Sequence, residues 1–169
     1  MNEKPLVGIV MGSDSDLEVM QRCARQLREF GIACELRVIS AHRTPEAAHR
    51  YAREAAKRGL KVIVAGAGMS AALAGVLAAN TTLPVIGVPI ESGSLKGLDA
   101  LLSTSQMPPG VPVACMAIGA AGATNAAVLA AQILALGDAA LARRLRQFKR
   151  DQARKVAKKD AALRAATQP

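Results

Sequence analysis

Aromatic side chains are almost missing from this chain: it has no Trp, and its rings are Phe30, Tyr51 and Phe148. The hydrophobic share is nevertheless 51%, so the core must be assembled from Ala, Val, Leu, Ile and Met. Small side chains let helices and sheets approach closely, as in a layered α/β protein, but each buries little surface. Oligomerisation is therefore expected to add burial. Cysteine is scarce too. Cys23, Cys34 and Cys115 are odd in number and match no zinc or redox spacing. They read as small buried hydrophobes in a reducing compartment. No apolar stretch runs long enough, without Gly or Pro, to suggest a membrane span. Met1–Pro5 lacks the layout of a signal peptide. These absences predict a cytoplasmic protein with no membrane partner.

Histidine is rarer still. His42 and His49 are the only two, so few groups can trade protons near neutral pH. His49 falls inside a helical run and reads as structural. No His, Cys and carboxylate cluster has metal-ligand spacing, and there is no P-loop. Gly66-Ala67-Gly68-Met69-Ser70-Ala71 fits a loose dinucleotide fingerprint, with Glu91 lying 23 residues beyond Gly68. It follows the third strand-like run rather than the first, and a chain of 169 residues has no room for a separate substrate domain. Neither a metal nor a cofactor is expected.

Charge is unevenly spread. The net charge is +9, yet from Leu141 onward ten Lys/Arg face two Asp, while the rest of the chain carries twelve basic and eleven acidic residues. A basic helix can bind nucleic acid, but a solvated helix face is the commoner meaning, and no nucleic-acid partner is expected. The domain plan is a catalytic domain over 1–140, then a basic helix and tail over 141–169 that packs on a neighbouring subunit.

What the chain does have is alternation. Apolar strand-like runs at 6–11, 33–39, 61–65, 84–88 and 111–118 are each followed by a polar or Gly-rich cluster and then a helical pattern. Helices are expected from 17 to about Phe30, 46–57, 71–79, 97–105 and 123–136, with a last one over 138–165. Strand–helix repetition of this kind predicts a parallel sheet with helices on both faces. Five strands suit a flavodoxin-like three-layer sandwich, with the extra C-terminal helix outside it. In such a sheet the post-strand clusters share one edge, where ligands bind.

The chemistry concentrates in Ser40-Ala41-His42-Arg43-Thr44-Pro45. Thr44 is a good helix N-cap and Pro45 suits the first helical position, which leaves His42 and Arg43 in a strand-to-helix loop. Arg43 offers a fork of donors suited to phosphate. Gly12, Ser13 and the N–H groups opening the first helix can hold an anion, and Asp16 can accept hydrogen bonds from sugar hydroxyls. Gly66, Gly68, Gly119 and Gly122 allow backbone to approach a ligand.

Read together, Val10-Met11-Gly12-Ser13-Asp14-Ser15-Asp16, Ser40 to Pro45, Ala65-Gly66-Ala67-Gly68, Gly87-Val88-Pro89, Gln106-Met107-Pro108 and Ala117-Ile118-Gly119 leading to Asn125-Ala126-Ala127 resemble the bacterial carboxyaminoimidazole ribonucleotide mutases of purine synthesis. The likeness spans roughly residues 5 to 150. It implies a three-layer α/β fold, commonly an octamer with sites built at subunit contacts, and no cofactor. The implied reaction moves the carboxylate of N5-carboxyaminoimidazole ribonucleotide to carbon 4 of the imidazole. His42 would be the acid/base. Ser13, Asp16 and Arg43 would bind the ribose phosphate, and Ser40, Ala41, Gly68 and Ala71 would wall a small pocket for carbon dioxide. A sister carboxylase, acting on aminoimidazole ribonucleotide and carbon dioxide directly, is the alternative within the same fold. The chain departs from the common pattern Gly-Gly-Ala-Ala-His-Leu-Pro-Gly: it reads Gly68-Met69-Ser70-Ala71-Ala72-Leu73-Ala74-Gly75, so Ala72 replaces a second histidine, and Ala120 stands where many relatives carry Lys.

Overall fold

The structure, a computed structural model, describes residues 4–167. Its centre is a parallel sheet of five strands in the order β2-β1-β3-β4-β5. These are β1 (Val7–Met11), β2 (Cys34–Val38), β3 (Val62–Gly68), β4 (Val85–Ile90) and β5 (Ala114–Cys115). Six helices accompany them: α1 (Leu17–Glu29), α2 (Pro45–Ala55), α3 (Leu73–Ala78), α4 (Leu98–Ser105), α5 (Ala120–Ala135) and α6 (Ala139–Thr167). This is the flavodoxin-like three-layer α/β arrangement.

The sheet explains the apolar runs. Every residue of β1 is buried, as expected of a strand covered on both faces, whereas edge strand β2 is half open. Side chains alternate between the two layers. Val10, Ile63 and Ala65 join Ala48, Tyr51, Ala52 and Ala55 of α2 and Leu73, Ala74 and Leu77 of α3 in one cluster. On the other face, α1 buries Met20, Cys23, Ala24 and Leu27 at helical spacing. Two glycines make the layers fit: a Cβ on Gly8 would strike the Tyr51 hydroxyl of α2, and one on Gly66 would strike Met20 of α1. Cys23 is fully buried, and desolvation pushes its thiol up to about 12, in keeping with an inert core cysteine. Where α1 stops, Gly31 takes φ +70 and Ile32 N–H reaches back to Leu27 O at 2.9 Å, a left-handed end that needs glycine.

Two strands differ most from their expected bounds. β3 continues through the Gly-rich segment to Gly68, because Gly66 and Gly68 pair with Val88 and Ile90 of β4. β5 is reduced to two residues, pairing Ala114 with Ile86 and Cys115 with Gly87. Pro112 has no N–H to donate, so the upstream half of the expected strand cannot join a ladder. The chain beyond still follows β4, with Met116 N–H on Gly87 O and Gly119 N–H on Pro89 O, both at 2.8 Å.

The described residues fall into two compact units, divided between Ala130 and Ala131. In the second, Asp138 caps α6 by accepting from the N–H groups of Ala140 and Leu141 at 2.8 and 3.0 Å. Those bonds, led by that from Leu141, hold its carboxyl below the usual range. Among the described residues no helix is long and apolar enough to cross a membrane.

Candidate active site

β1 and β3 are hydrogen-bonded neighbours, yet the chain leaves β1 to form β2 on its other side. Strand order therefore reverses between them, and a parallel sheet opens a crevice at the carboxyl ends of such a pair. A cleft of about 520 Å³ occupies that place.

One wall is polar. After β1, a single 3-10 turn (Asp14–Asp16) begins at Ser13, whose Oγ accepts from Ser15 N–H at 3.3 Å. Asp16 Oδ2 in turn accepts from Ser13 N–H at 3.2 Å, completing a capping box. Asp16 is 8% exposed. Desolvation raises its carboxyl above the usual value, against the hydrogen bonds from Ser13 and Ser15 and the nearby Arg43 charge, which pull it down.

The other polar contribution is the β2–α2 loop. Pro45 takes the first turn of α2 as expected, but Thr44 makes no side-chain cap bond to that helix. Its Oγ1 turns back, donating to Ser40 O and accepting from Ser40 N–H, each at 3.0 Å. Thr44 N–H also reaches Ser40 O at 2.9 Å. Residues 40–44 are thus pinned as a closed turn, with His42 exposed on it and on the cleft lining. Arg43 ties this turn to the neighbouring one. Its Nη2 donates to Gly12 O at 3.0 Å, while its Nε and backbone N–H both donate to Ser40 Oγ, at 3.3 and 3.1 Å. The guanidinium remains exposed, with further N–H groups free to meet an anion.

The rest of the lining is mostly apolar and comes from the end of β3 and the start of α3, Ala67, Gly68, Met69, Ala72 and Leu73, together with Ser70 and Ser92. Gly68 allows the close approach of the β4 loop, since a Cβ there would sit 3.0 Å from Ser92 Cβ and 3.1 Å from Ile90 O. Met69 follows with φ +55, the left-handed region, which costs a residue with a Cβ about 1–2 kcal/mol.

The cleft gathers Gly12, Ser13, Asp16, Ser40, Ala41, His42, Arg43 and Gly68 from their separate places in the chain. Ala71 does not join them: it is 2% exposed and outside the lining, because the turn in which Ala72 N–H meets Ser70 O at 2.8 Å directs residue 71 inward and residue 72 outward. Ser15, Ala67, Met69, Ser70 and Ser92, which fall in the clusters after strands, also line the cleft, as does Leu73, though the sequence pattern assigned none of them an individual role. Ser92 had a signal in the Ser/Gly cluster after β4. The Gly119–Gly122 cluster contributes nothing to the lining. Gly122 lies against the Ala117 carbonyl and Gly119 takes φ +73 at the start of α5, so both serve the chain's own turn.

The sequence model of the AIR carboxylase family matches residues 6–155. The chain belongs to the AIR carboxylase family. A relative from Pyrococcus horikoshii, an N5-carboxyaminoimidazole ribonucleotide mutase, is 56% identical over 94% of this chain and 88% of its own length. The bifunctional purine synthesis protein purC/E of Dictyostelium discoideum is 56% identical over 78% of this chain, which corresponds to 13% of that longer protein. Among solved structures, Treponema denticola PurE superposes with a TM-score of 0.84 at 34% identity, covering 94% of this chain and 98% of its own. The stretches on which the family resemblance rests include both polar turns of the cleft. Of the two departures from the common family pattern, Ala72 lines the cleft and Ala120 does not.

Proposed function

We propose that the protein is an N5-carboxyaminoimidazole ribonucleotide mutase of purine synthesis. The observation that carries this reading is the convergence of Ser13, Asp16, His42 and Arg43 on one switch-point cleft, in a chain 56% identical to a mutase of that name. The naming of such relatives as mutases favours this reaction over direct carboxylation of aminoimidazole ribonucleotide.

The substrate has an anionic end, a sugar and a carbamate on an enamine-like imidazole. Arg43 and the N–H groups at Ser13 take the phosphate. Asp16, already desolvated, accepts from the ribose hydroxyls. This leaves the imidazole between His42 and the apolar wall. His42 donates a proton to the carbamate nitrogen. The N–C bond then breaks with its electron pair passing to nitrogen, and carbon dioxide is released. Carbon 4 attacks the carbon dioxide, and the proton it carries returns to His42 as the ring regains aromaticity. Protons and carbon dioxide balance, and one imidazole serves both steps.

We also propose a homo-oligomer, an octamer by resemblance, in the cytoplasm. Leu95 and, on α4, Leu98 and Leu102 are each more than half exposed, apolar surface that a neighbouring subunit would cover. The basic segment 141–169 would pack on a neighbour as well. Light scattering on the purified protein tests the assembly, and a monomer would remove it.

The activity is tested by a paired assay. One arm holds fresh N5-carboxyaminoimidazole ribonucleotide without bicarbonate, the other aminoimidazole ribonucleotide with abundant bicarbonate. Fast formation of the carbon 4-carboxylated product in the first arm alone is the expected result. Fast turnover in the second arm alone would assign the sister carboxylase.

A further inference from the structure

Met69 has a backbone conformation that glycine prefers. Its φ is +55, and the residue is 59% exposed within this chain, on the cleft lining. A strained residue that persists beside a ligand cleft points to a role for its side chain in that cleft. Its neighbours on the lining narrow the role. Ala67, Ala72 and Leu73 are apolar and come from the same stretch of chain, whereas Asp16 and Arg43 come from the turns after β1 and β2.

We infer that Met69 is the residue that retains carbon dioxide between its release from the carbamate nitrogen and its capture by carbon 4. This rests on the mutase reading. Carbon dioxide is neutral and apolar once the N–C bond has broken. The charged wall gives it no strong anchor, so it stays only if water is kept out and the exit is closed. An unbranched thioether with three rotatable bonds can fold over a bound imidazole and fill an irregular gap. Met69 and His42, whose proton triggers the release, line the same cleft. Met69 thereby determines whether the carboxyl carbon of the product comes from the substrate or from the medium.

The test supplies unlabelled N5-carboxyaminoimidazole ribonucleotide in a medium of ¹³C-bicarbonate equilibrated with carbonic anhydrase, and reads the label in the product at early times. The wild-type protein is expected to transfer the substrate's own carbon with little label. Met69→Gly relieves the strained backbone, so its melting temperature is expected to hold or rise. Its product should carry several-fold more label, and free aminoimidazole ribonucleotide should accumulate. Met69→Leu keeps apolar bulk and should stay near wild type. If wild-type protein makes no product from this substrate, the mutase reading fails and the inference with it. If wild type turns over but Met69→Gly incorporates no more label than wild type, only the role of Met69 is overturned.

Discussion

On the wall formed by residues 12–16 and 40–44, most polar side chains are tied down: Asp16 to the Ser13 N–H, Thr44 to the Ser40 backbone, and Arg43 to both Ser40 Oγ and the Gly12 carbonyl. The wall formed by residues 67–73 has a single polar side chain, Ser70, and is shaped by a glycine contact and a left-handed methionine. One wall is preorganised to hold charge, the other to exclude water. A reaction that binds a phosphorylated sugar while handling an apolar gas needs both. The contrast suggests that substitutions on the first wall weaken binding or proton transfer, while those on the second change where carbon dioxide goes.

His42→Asn breaks the comparison most severely. Turnover should fall by about 10²–10⁴-fold, the range of a lost acid/base, with substrate affinity nearly kept; retained turnover would remove the proton role. Arg43→Ala should weaken binding by about 10–100-fold, as for a hydrogen bond to a charged group, read by calorimetry with substrate or product. Unchanged affinity would separate Arg43 from the phosphate.

Asp16→Asn sharpens the comparison, because function and stability should move in opposite directions. Binding should drop by about tenfold. The Asp16 carboxyl is raised by desolvation, so the folded state binds its proton more tightly than the unfolded chain does. Its contribution to stability is then lost as pH rises from the ordinary carboxylate range through the raised value. At neutral pH the variant should therefore melt no lower than wild type, and any advantage should vanish in acid. A variant that melts well below wild type at neutral pH would mean that the capping box outweighs the desolvation.

On the other wall, Gly68→Ala should cost about 1–3 kcal/mol in a denaturant melt, an overpacking effect, because Ser92 and the Ile90 carbonyl must give way. An unaltered midpoint would show that the β4 loop yields freely.

The same contrast explains what could be read in the sequence. The polar wall is spelled in two short motifs whose side chains carry their chemistry with them, and the strand-to-helix placement of Ser40–Thr44 follows from apolar periodicity. The apolar wall depends on where β3 ends. Glycines at 66 and 68 look like a turn in sequence, but pairing with β4 carries the strand on to Gly68. Which small residue then faces the cleft follows from the turn beyond it, so Ala71, expected in the pocket, is buried and Ala72 takes the lining. The side-chain role of Thr44 was hidden for a related reason: its hydroxyl has backbone partners both in the helix ahead and in the turn behind, and only the folded loop decides between them.

The most direct measurement is a crystal structure of the His42→Asn variant with N5-carboxyaminoimidazole ribonucleotide bound. The division of labour between the walls predicts phosphate at Ser13 and Arg43, ribose at Asp16, and the carboxylate-bearing edge of the imidazole between residue 42 and the wall of Met69 and Ala72. Phosphate against residues 67–73, or the imidazole turned away from residue 42, would contradict it.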